Sequence, residues 1–218
     1  METPPRRRLA AAERRQELLN AAVEVFAQQG YHRSSLDDIA TAAGVSKALI
    51  YEHFTSKREL HGELVLSHAQ QIFERLQEAA GVPGLQGQER LRRGVDAFLS
   101  FVEDNREAWR ALFRDASDPE VAEQIKLVQS QATLVIAALI RAEAQDRPAA
   151  RVDPAYQAVV FSIYAQFLAG GVQQLANWWY DNSEVTREEI VDRAMEFAWL
   201  GLERVSGGAF FAHGVARG

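Results

Sequence analysis

Residues 34–60 read SSLDDIATAAGVSKALIYEHFTSKREL, and this stretch decides the fold of the N-terminal part of the chain. Small or branched apolar side chains recur at helical spacing on both sides of a single glycine: Ile39, Ala40, Val45, Leu49 and Ile50. Gly44 lies where the chain must reverse, and a positive φ is free of strain only for glycine. We therefore predict two short helices joined by a tight turn, an arrangement whose second helix can enter the DNA major groove.

Side-chain caps mark where the helices around this turn begin. A serine followed three positions later by an acidic residue is the capping-box pattern. Ser35 with Asp38 precedes the second helix in this pattern, and Ser56 with Glu59 precedes a long fourth helix over residues 57–79. A serine alone, Ser46, precedes the third helix. Apolar periodicity predicts a first helix over about 10–29 that stops at Gly30.

Residues 13–66 resemble the N-terminal domain of the TetR family of bacterial transcriptional regulators. The similarity lies in the helix AAVEVFAQQGY (21–31) and in residues 34–57, above all at Gly44, Val45, Ser46, Lys47, Tyr51, His53, Phe54 and Lys57. Two positions depart from the family pattern, since Ala48 stands where members often have glycine and Glu52 adds an acid to the third helix. Both departures bear on which operator is read. The resemblance covers roughly a quarter of the chain, and the rest matches in length and helical character.

A set of polar and small residues is expected to contact DNA. The outer face of the third helix offers Ser46, Lys47, Ala48 and Tyr51, which suit phosphates, base edges and a thymine methyl. The resemblance implies the same role for positions 47, 48, 51, 53 and 57. Lys57 also lies in the first turn of the fourth helix, where the helix dipole favours an anion. The full DNA-contact set is Arg33, Thr41, Ser46, Lys47, Ala48, Tyr51, His53 and Lys57.

The N-terminal arm is a second candidate for DNA contact. Arg6–Arg8 can reach the minor groove, with a solubilising tail as the alternative. For the third helix the alternative is a surface helix with ordinary solvated side chains. Charge is sorted along the chain: residues 1–66 hold nine basic and nine acidic residues, so the net charge of −6 lies in the remainder. This distribution favours phosphate contact at one end only.

Composition indicates a globular protein without thiol chemistry. The chain of 218 residues is 47% hydrophobic and 25% charged, and it has no cysteine, which excludes disulfides and thiolate metal sites. The N-terminus has no apolar segment typical of a signal peptide. The apolar run 158–172 is shorter than the roughly 20 residues of a membrane span. We expect a cytoplasmic protein with no membrane partner.

Signals for catalysis are missing from the sequence. None of the five histidines forms a pair at i, i+4, and there is no nucleophile elbow, P-loop or dinucleotide-binding fingerprint. The clustered carboxylates lie in first helical turns, where capping explains them. We expect no enzyme activity, no catalytic residue, no cofactor and no metal.

The whole chain is predicted to be all-α, with about nine helices and no sheet. Residues 81–88 are predicted to form a loop. One helix follows it, and then a short helix around 106–115. Asp–Pro pairs open two further helices at residues 119 and 154, and the last helix covers 187–205. We divide the chain into a helix-turn-helix domain over 1–56 with an arm over 1–12, an effector-binding and dimerisation domain over 57–207, and a tail over 208–218.

Aromatic residues after position 90 are the candidate effector site. Most such side chains are core, but the resemblance implies a cavity between the C-terminal helices. The effector set consists of aromatic lining residues with a few polar ones: Phe98, Phe101, Trp109, Phe113, Phe161, Tyr164, Gln166, Phe167, Gln173 and Asn177. This lining suits a largely apolar effector with a small polar group, such as a long acyl chain.

Two apolar helices at the C-terminal end are the candidate dimer interface. Small residues in helix 154–180 and apolar residues in helix 187–205 allow a four-helix contact between two copies, the alternative being packing within one chain. We predict a homodimeric regulator, a repressor that binds a palindromic double-stranded DNA operator and is released by its effector. The alternatives are an activator or a regulator without an effector, a helical adaptor that binds protein, and a helical enzyme that uses the aromatic cavity.

Overall fold

The computed structural model describes residues 11–114, 119–145 and 154–206, and within these ranges the chain is helical without any strand. It contains nine α-helices and one π-helical turn: α1 (Ala11–Gln29), α2 (Leu36–Ala42), α3 (Lys47–His53), α4 (Lys57–Ala80), α5 (Gly87–Asp104), α6 (Arg106–Trp109), the π turn (Arg110–Arg114), α7 (Pro119–Gln145), α8 (Pro154–Asp181) and α9 (Arg187–Ser206). The predicted all-α class is confirmed. Arg6–Arg8 and the tail over 208–218 lie outside the described residues.

Two predicted segments differ in detail from the structure. The loop over 81–88 is shorter than expected, because Gln86 is the N-cap of α5 and the helix begins at Gly87. The short helix around 106–115 is divided between α6 and the π turn. A π turn inserts one extra residue into the helical ladder, and hydrophobic periodicity does not reveal it.

Side-chain caps hold the starts of the helices around the turn. Ser35 Oγ accepts from the Asp38 N–H at 3.1 Å, and the Asp38 carboxylate accepts from the Ser35 N–H at 2.8 Å, which confirms the capping box of α2. Ser46 caps α3 by accepting from the Leu49 N–H at 3.3 Å. Gly44, between them, has a φ of 65°, as the tight turn requires.

The cap of α4 differs from the predicted capping box. Ser56 Oγ accepts from the Glu59 N–H at 3.1 Å, as expected. The Glu59 carboxylate, however, accepts from the N–H and hydroxyl of Thr55, at 2.7 and 2.6 Å, rather than from Ser56. The reciprocal bond therefore reaches one residue further back, and these bonds lower the pKa of Glu59. The start of α4 is consequently tied to the residue that follows Phe54 at the end of α3.

The described chain divides into two compact units. The first contains residues up to 68 together with Arg106–Ile125, and the second contains Ala69–Asn105 and the residues from Lys126 onward. This division differs from the predicted boundary at residue 56. The first unit thus includes the first three turns of α4, α6, the π turn and the start of α7 as well as the helix-turn-helix. Within it, α1 contacts both α6 and the π turn.

The core of the first unit lies between α1, α3 and α4. Phe26, Ile50, Phe54 and Leu60 are almost fully buried there. The ring of His61 is buried with them, 5.5 Å from the Phe26 ring and 5.0 Å from the Tyr31 ring. Burial of large apolar side chains of this kind stabilises a fold by about 1.5–3 kcal/mol each.

Arg15 of α1 connects the end of α3 to α4. Its guanidinium donates to the backbone carbonyl of His53 at 2.5 Å and from Nε to the Glu63 carboxylate at 2.8 Å. It also lies over the Phe54 ring, 4.2 Å from the ring centroid. Glu63 raises the pKa of Arg15 through this hydrogen bond. One side chain therefore holds three helices in register.

The second unit is built on α5, α8 and α9. Val95 and Leu99 of α5 are buried, as are Ile190 and Val191 of α9, and these two helices pack against each other. Ion pairs flank that contact, joining Arg92 to Asp192 at 2.6 Å and Arg187 to Glu103 at 2.8 Å and to Asp96 at 3.0 Å. Trp179 Nε1 donates to the Val185 carbonyl at 2.7 Å and fixes the turn between α8 and α9.

Replacing Arg15 tests the connection between α1, α3 and α4. We expect Arg15→Gln to lower the free energy of unfolding by about 1–2 kcal/mol, because the change leaves a carbonyl and a carboxylate without their donor. For a chain of this size that is a fall in Tm of about 3–6 °C. Arg14→Gln is the matched control, since the ion pair of Arg14 within the described residues is with Glu17, one turn away on the same helix. Equal Tm values for the two variants in circular dichroism melts would contradict this role.

Candidate DNA-binding surface and effector residues

The third helix has one buried and one exposed face. Ile50 and the C-cap residue Phe54 are completely buried, whereas Tyr51 is 54% exposed. Lys47, Ala48 and Glu52 lie at the surface with Tyr51, as does the cap residue Ser46. With its cap, α3 is about 12 Å long at 1.5 Å per residue, enough to lie across one groove. The core thus orients the helix and leaves the side chains of its outer face available to a ligand.

Lys47 is the exposed cation on that face, and it already has a partner. Its ammonium lies 2.6 Å from Oδ2 of Asp37, a residue of α2, while 70% of its side chain remains exposed. The hydrogen bond and charge of Asp37 raise the pKa of Lys47. The ten-residue separation has no helical periodicity, so sequence reasoning missed this pair.

Two other members of the DNA-contact set are bonded to backbone at the surface. The Thr41 hydroxyl donates to the Asp37 carbonyl at 2.9 Å, and Arg33 Nε donates to the Gln29 carbonyl at 2.9 Å. Both side chains remain exposed. His53 is half-buried, and its carbonyl is the one that receives Arg15. All eight residues of the set belong to the first unit.

Lys57 is bonded to the backbone of the turn that precedes α2. Its ammonium donates to the carbonyls of Tyr31 at 2.5 Å and Ser34 at 2.8 Å, and it lies 4.3 Å from the centroid of the Tyr31 ring. Sequence reasoning expected an anion contact here from the start of the helix. The Lys57 side chain also has a structural role, because these hydrogen bonds tie the start of α4 to the segment that carries Arg33.

The effector set is divided between the two units. Trp109 and Phe113 belong to the first unit, where both are buried and their rings stack at 5.0 Å. They flank Arg110, which donates to the Ala27 carbonyl at 2.7 Å near the end of α1. Sequence reasoning did not identify Arg110, because a surface-type residue at the start of a π turn carries no periodic signal.

The other eight members of the effector set lie in the second unit with different exposures. Phe101 and Phe161 are buried, while Phe98, Tyr164, Gln173 and Asn177 are half-buried. Burial raises the pKa of Tyr164. Gln173 accepts from Gln129 of α7 at 3.0 Å. Gln166 and Phe167 are instead exposed, so α8 presents them on the opposite side from Phe161.

An apolar surface, here called the outer face, runs over α8 and α9. Its residues are all at least 51% exposed: Tyr156, Val159, Ile163 and Phe167 of α8, and Phe197 and Leu200 of α9. The Phe167 and Phe197 rings stack at 6.0 Å and join the two helices. On a soluble domain, a contiguous apolar surface of this kind marks an interaction site.

Helix α8, with 28 residues, is longer than the apolar run 158–172 that it contains. By length and composition alone, the helix segment Ala155–Asp181 could cross a membrane, because an 18-residue window within it has a mean hydropathy of 1.2, and 17% of that window is buried. The helix therefore extends well beyond the apolar run 158–172 on which the sequence-based expectation rests. The polar side chains of Gln166 and Gln174 are exposed among these apolar residues, and lipid would leave them without partners.

Metal-ligating side chains do not converge within the described part of the chain. No group of three or more His, Asp or Glu residues there could hold a metal ion. What the described residues do bring together is a cap-stabilised outer helix face in the first unit and an apolar outer face in the second.

Comparison with known proteins places both parts of the chain. Residues 18–64 match the family model described as bacterial regulatory proteins, tetR family, and residues 88–201 match a tetracyclin repressor-like C-terminal domain. The HTH-type transcriptional activator FasR of Mycolicibacterium smegmatis is 32% identical over 201 residues, which are 91% of this chain and 87% of that protein.

Solved structures agree with this placement. A TetR-like transcriptional regulator from Rhodococcus sp. RHA1 superposes with a TM-score of 0.73 at 30% identity, covering 90% of this chain and 99% of that one. FadR from Bacillus subtilis, solved in complex with stearoyl-CoA, shares the fold with a TM-score of 0.67 at 20% identity. The match covers 88% of this chain and 98% of that one. The helix-turn-helix geometry and these similarities over most of the length show that the chain belongs to the TetR family of bacterial regulatory proteins and is a transcriptional regulator of the TetR type.

Proposed function

We propose that the chain binds operator DNA through the exposed face of α3. The observation that carries this is the contrast along one short helix, where Ile50 is fully buried and Tyr51 is 54% exposed one residue later. Lys47 and Tyr51 then reach phosphates or base edges, and Ala48 contacts a thymine methyl. Arg33, Thr41, Ser46, His53 and Lys57 border this face as contacts to the DNA backbone.

The regulator works as a homodimer in the cytoplasm, and the outer face of α8 and α9 is the dimer interface. Burying aromatic and branched side chains against a second copy removes from water an apolar surface that the second unit exposes. A two-fold pair of α3 helices reads half-sites one helical turn apart, about 34–36 Å, or a multiple of it. The operator is accordingly palindromic.

The second unit binds an acyl compound as effector. Tyr164, Gln173 and Asn177 are half-buried polar residues of α8, the helix that also carries the buried Phe161, and this composition suits a long apolar ligand with one polar end. FadR from Bacillus subtilis, which has the same fold, was solved in complex with stearoyl-CoA. Such a ligand changes DNA binding only if its affinity differs between two forms of the dimer.

Release from the operator by the effector makes the protein a repressor, as the sequence analysis predicts. A second candidate is activation, because FasR, which is 32% identical over most of the chain, is described as a transcriptional activator. Neither direction of control involves catalysis, and the regulator needs no cofactor. Transcription from the selected operator in vitro, with and without the protein, distinguishes the two directions.

Removing two side chains of α3 tests the DNA contact. We expect Lys47→Ala combined with Tyr51→Ala to weaken binding to an operator selected by the wild-type protein from a random duplex library by at least about 2 kcal/mol, or thirtyfold. Lys126→Ala makes the same charge change in the second unit and is expected to bind like the wild type. Mobility-shift titrations at matched salt measure both. Wild-type affinity in the double variant would remove α3 from the interface.

Introducing a charge on the outer face of α8 and α9 tests the proposed dimer interface. We expect Phe167→Glu to shift the mass measured by light scattering from twice the chain mass of 24.3 kDa to that of one chain at micromolar concentration. The physical reason is that a carboxylate buried between two apolar surfaces has no partner. Leu134→Glu is the matched control, since Leu134 is 70% exposed on α7 outside this face. A monomeric wild type, or an equal shift in both variants, would refute the assigned interface.

Ligand-dependent melting tests the effector. We expect stearoyl-CoA at about a hundred times its Kd to stabilise the protein by about 2.7 kcal/mol, while coenzyme A alone has no effect. Tyr164→Ala is expected to lose at least half of that stabilisation, and Tyr51→Ala, in the other unit, to keep it. Differential scanning fluorimetry provides the readout. Equal stabilisation by coenzyme A would show that the acyl chain is not what the protein recognises.

A further inference from the structure

Asp37 is a carboxylate next to the surface of α3 that is proposed to contact DNA. It lies in the first turn of α2, and its Oδ2 is 2.6 Å from the ammonium of Lys47, the cation on the outer face of α3. Its second oxygen, Oδ1, is buried and has no hydrogen-bond partner among the described residues. Lys47 is therefore the side chain that compensates the charge of Asp37.

The cap of α2 does not need Asp37. The neighbouring Asp38 completes the capping box, accepting from the N–H and the hydroxyl of Ser35 at 2.8 and 2.6 Å. The helix start is thus satisfied without a second acid, although any acid there gains from the helix dipole. Capping accounts for Asp38, whereas the Asp37 carboxylate is engaged through Oδ2 with Lys47 of α3.

Because α3 is proposed to meet DNA, the pair sets two anions in competition for one cation. A DNA phosphate can receive Lys47 only if the ammonium leaves Asp37 or shares its protons with it. An exposed ion pair is weak enough to be opened, since 70% of the Lys47 side chain is in contact with water. Once the pair opens, the Asp37 carboxylate remains beside the polyanion without its partner.

We infer that Asp37 sets the DNA affinity of this regulator by holding Lys47 in an ion pair that a DNA phosphate must displace. This inference rests on the proposed contact between α3 and DNA. The displacement lowers affinity for every duplex, because phosphate is present in all of them. Contacts to base edges from the same helix are made without this penalty. Asp37 therefore lowers the affinity for operator and random duplex alike, by the cost of opening its pair with Lys47.

Salt dependence gives the inference a signature of its own. A lysine that neutralises a phosphate releases a counterion, which steepens the fall of log K with log[salt] by about 0.9. In the wild type this release is offset, because the freed Asp37 takes up a cation from solution. Removing the Asp37 charge removes the offset. The variant should then bind more tightly and depend more steeply on salt.

The experiment compares Asp37→Asn with the wild type on a labelled 30-bp duplex of random sequence. Fluorescence anisotropy titrations between 50 and 200 mM KCl give K and its salt slope. We expect Asp37→Asn to bind about three- to fivefold more tightly at the lowest salt, with a slope steeper by up to about 0.9. Glu24→Gln, the same charge change at an exposed position of α1, is expected to match the wild type.

A double-variant comparison separates competition from simple repulsion. In a Lys47→Met background, Asp37→Asn should change K by less than about 1.5-fold, because no ammonium remains to be released. An equal gain in both backgrounds would overturn the inference and leave general repulsion as the cause. Weaker binding by Asp37→Asn would also overturn it, since Asp37 would then be orienting Lys47 toward the DNA.

Two controls keep the outcomes distinct. Circular dichroism melts verify that Asp37→Asn is folded, and Asp37→Ser, which keeps a favourable side chain in the first turn, serves if Asn unfolds the helix. A wild type that binds no duplex at any salt would contradict the proposed function of α3. A wild type that binds, with an Asp37→Asn variant of the same affinity and slope, would contradict only the role of Asp37.

Discussion

The contact between Arg15 and the junction of α3 and α4 is the interaction on which the arrangement of the first unit depends. The caps at Ser46 and Glu59 start α3 and tie Thr55 to the beginning of α4, but a further contact must join the end of α3 to α1 as well as to α4. Arg15 does so by donating to the His53 carbonyl and the Glu63 carboxylate while its guanidinium covers the Phe54 ring. A planar, always charged donor can serve all three at once, which lysine cannot. The outer face of α3 is therefore presented at a set angle.

The structure also explains how a regulator with a net charge of −6 can meet DNA. The first unit contributes exposed cations from short, capped elements, and part of that positive charge is already engaged by acidic neighbours such as Asp37. The second unit buries its core between α5, α8 and α9 and leaves an apolar outer face in a single chain. In the proposed dimer, pairing covers this apolar surface and brings two copies of α3 to the DNA.

Sequence reasoning was most successful where a signal is local. Ser35 with Asp38, the cap at Ser46 and the positive φ of Gly44 all lie within a few residues of the element they define, and each was predicted. It was less successful where one residue shifts a partner, as when Glu59 bonds to Thr55 instead of Ser56. It also did not anticipate that Trp109 and Phe113 pack in the same unit as the helix-turn-helix.

The amino-acid sequence was sufficient to establish the all-α class, the helix-turn-helix, the family and the residues on the outer face of α3. Those properties follow from capping, glycine conformation and hydrophobic spacing, which act between neighbours in the chain. The folded chain was needed to show that Arg15 joins α1 to α4, that Asp37 holds Lys47, and that Phe167 lies outward against Phe197. These contacts join residues 10–48 positions apart, so their geometry depends on how the helices pack rather than on any pattern along one of them.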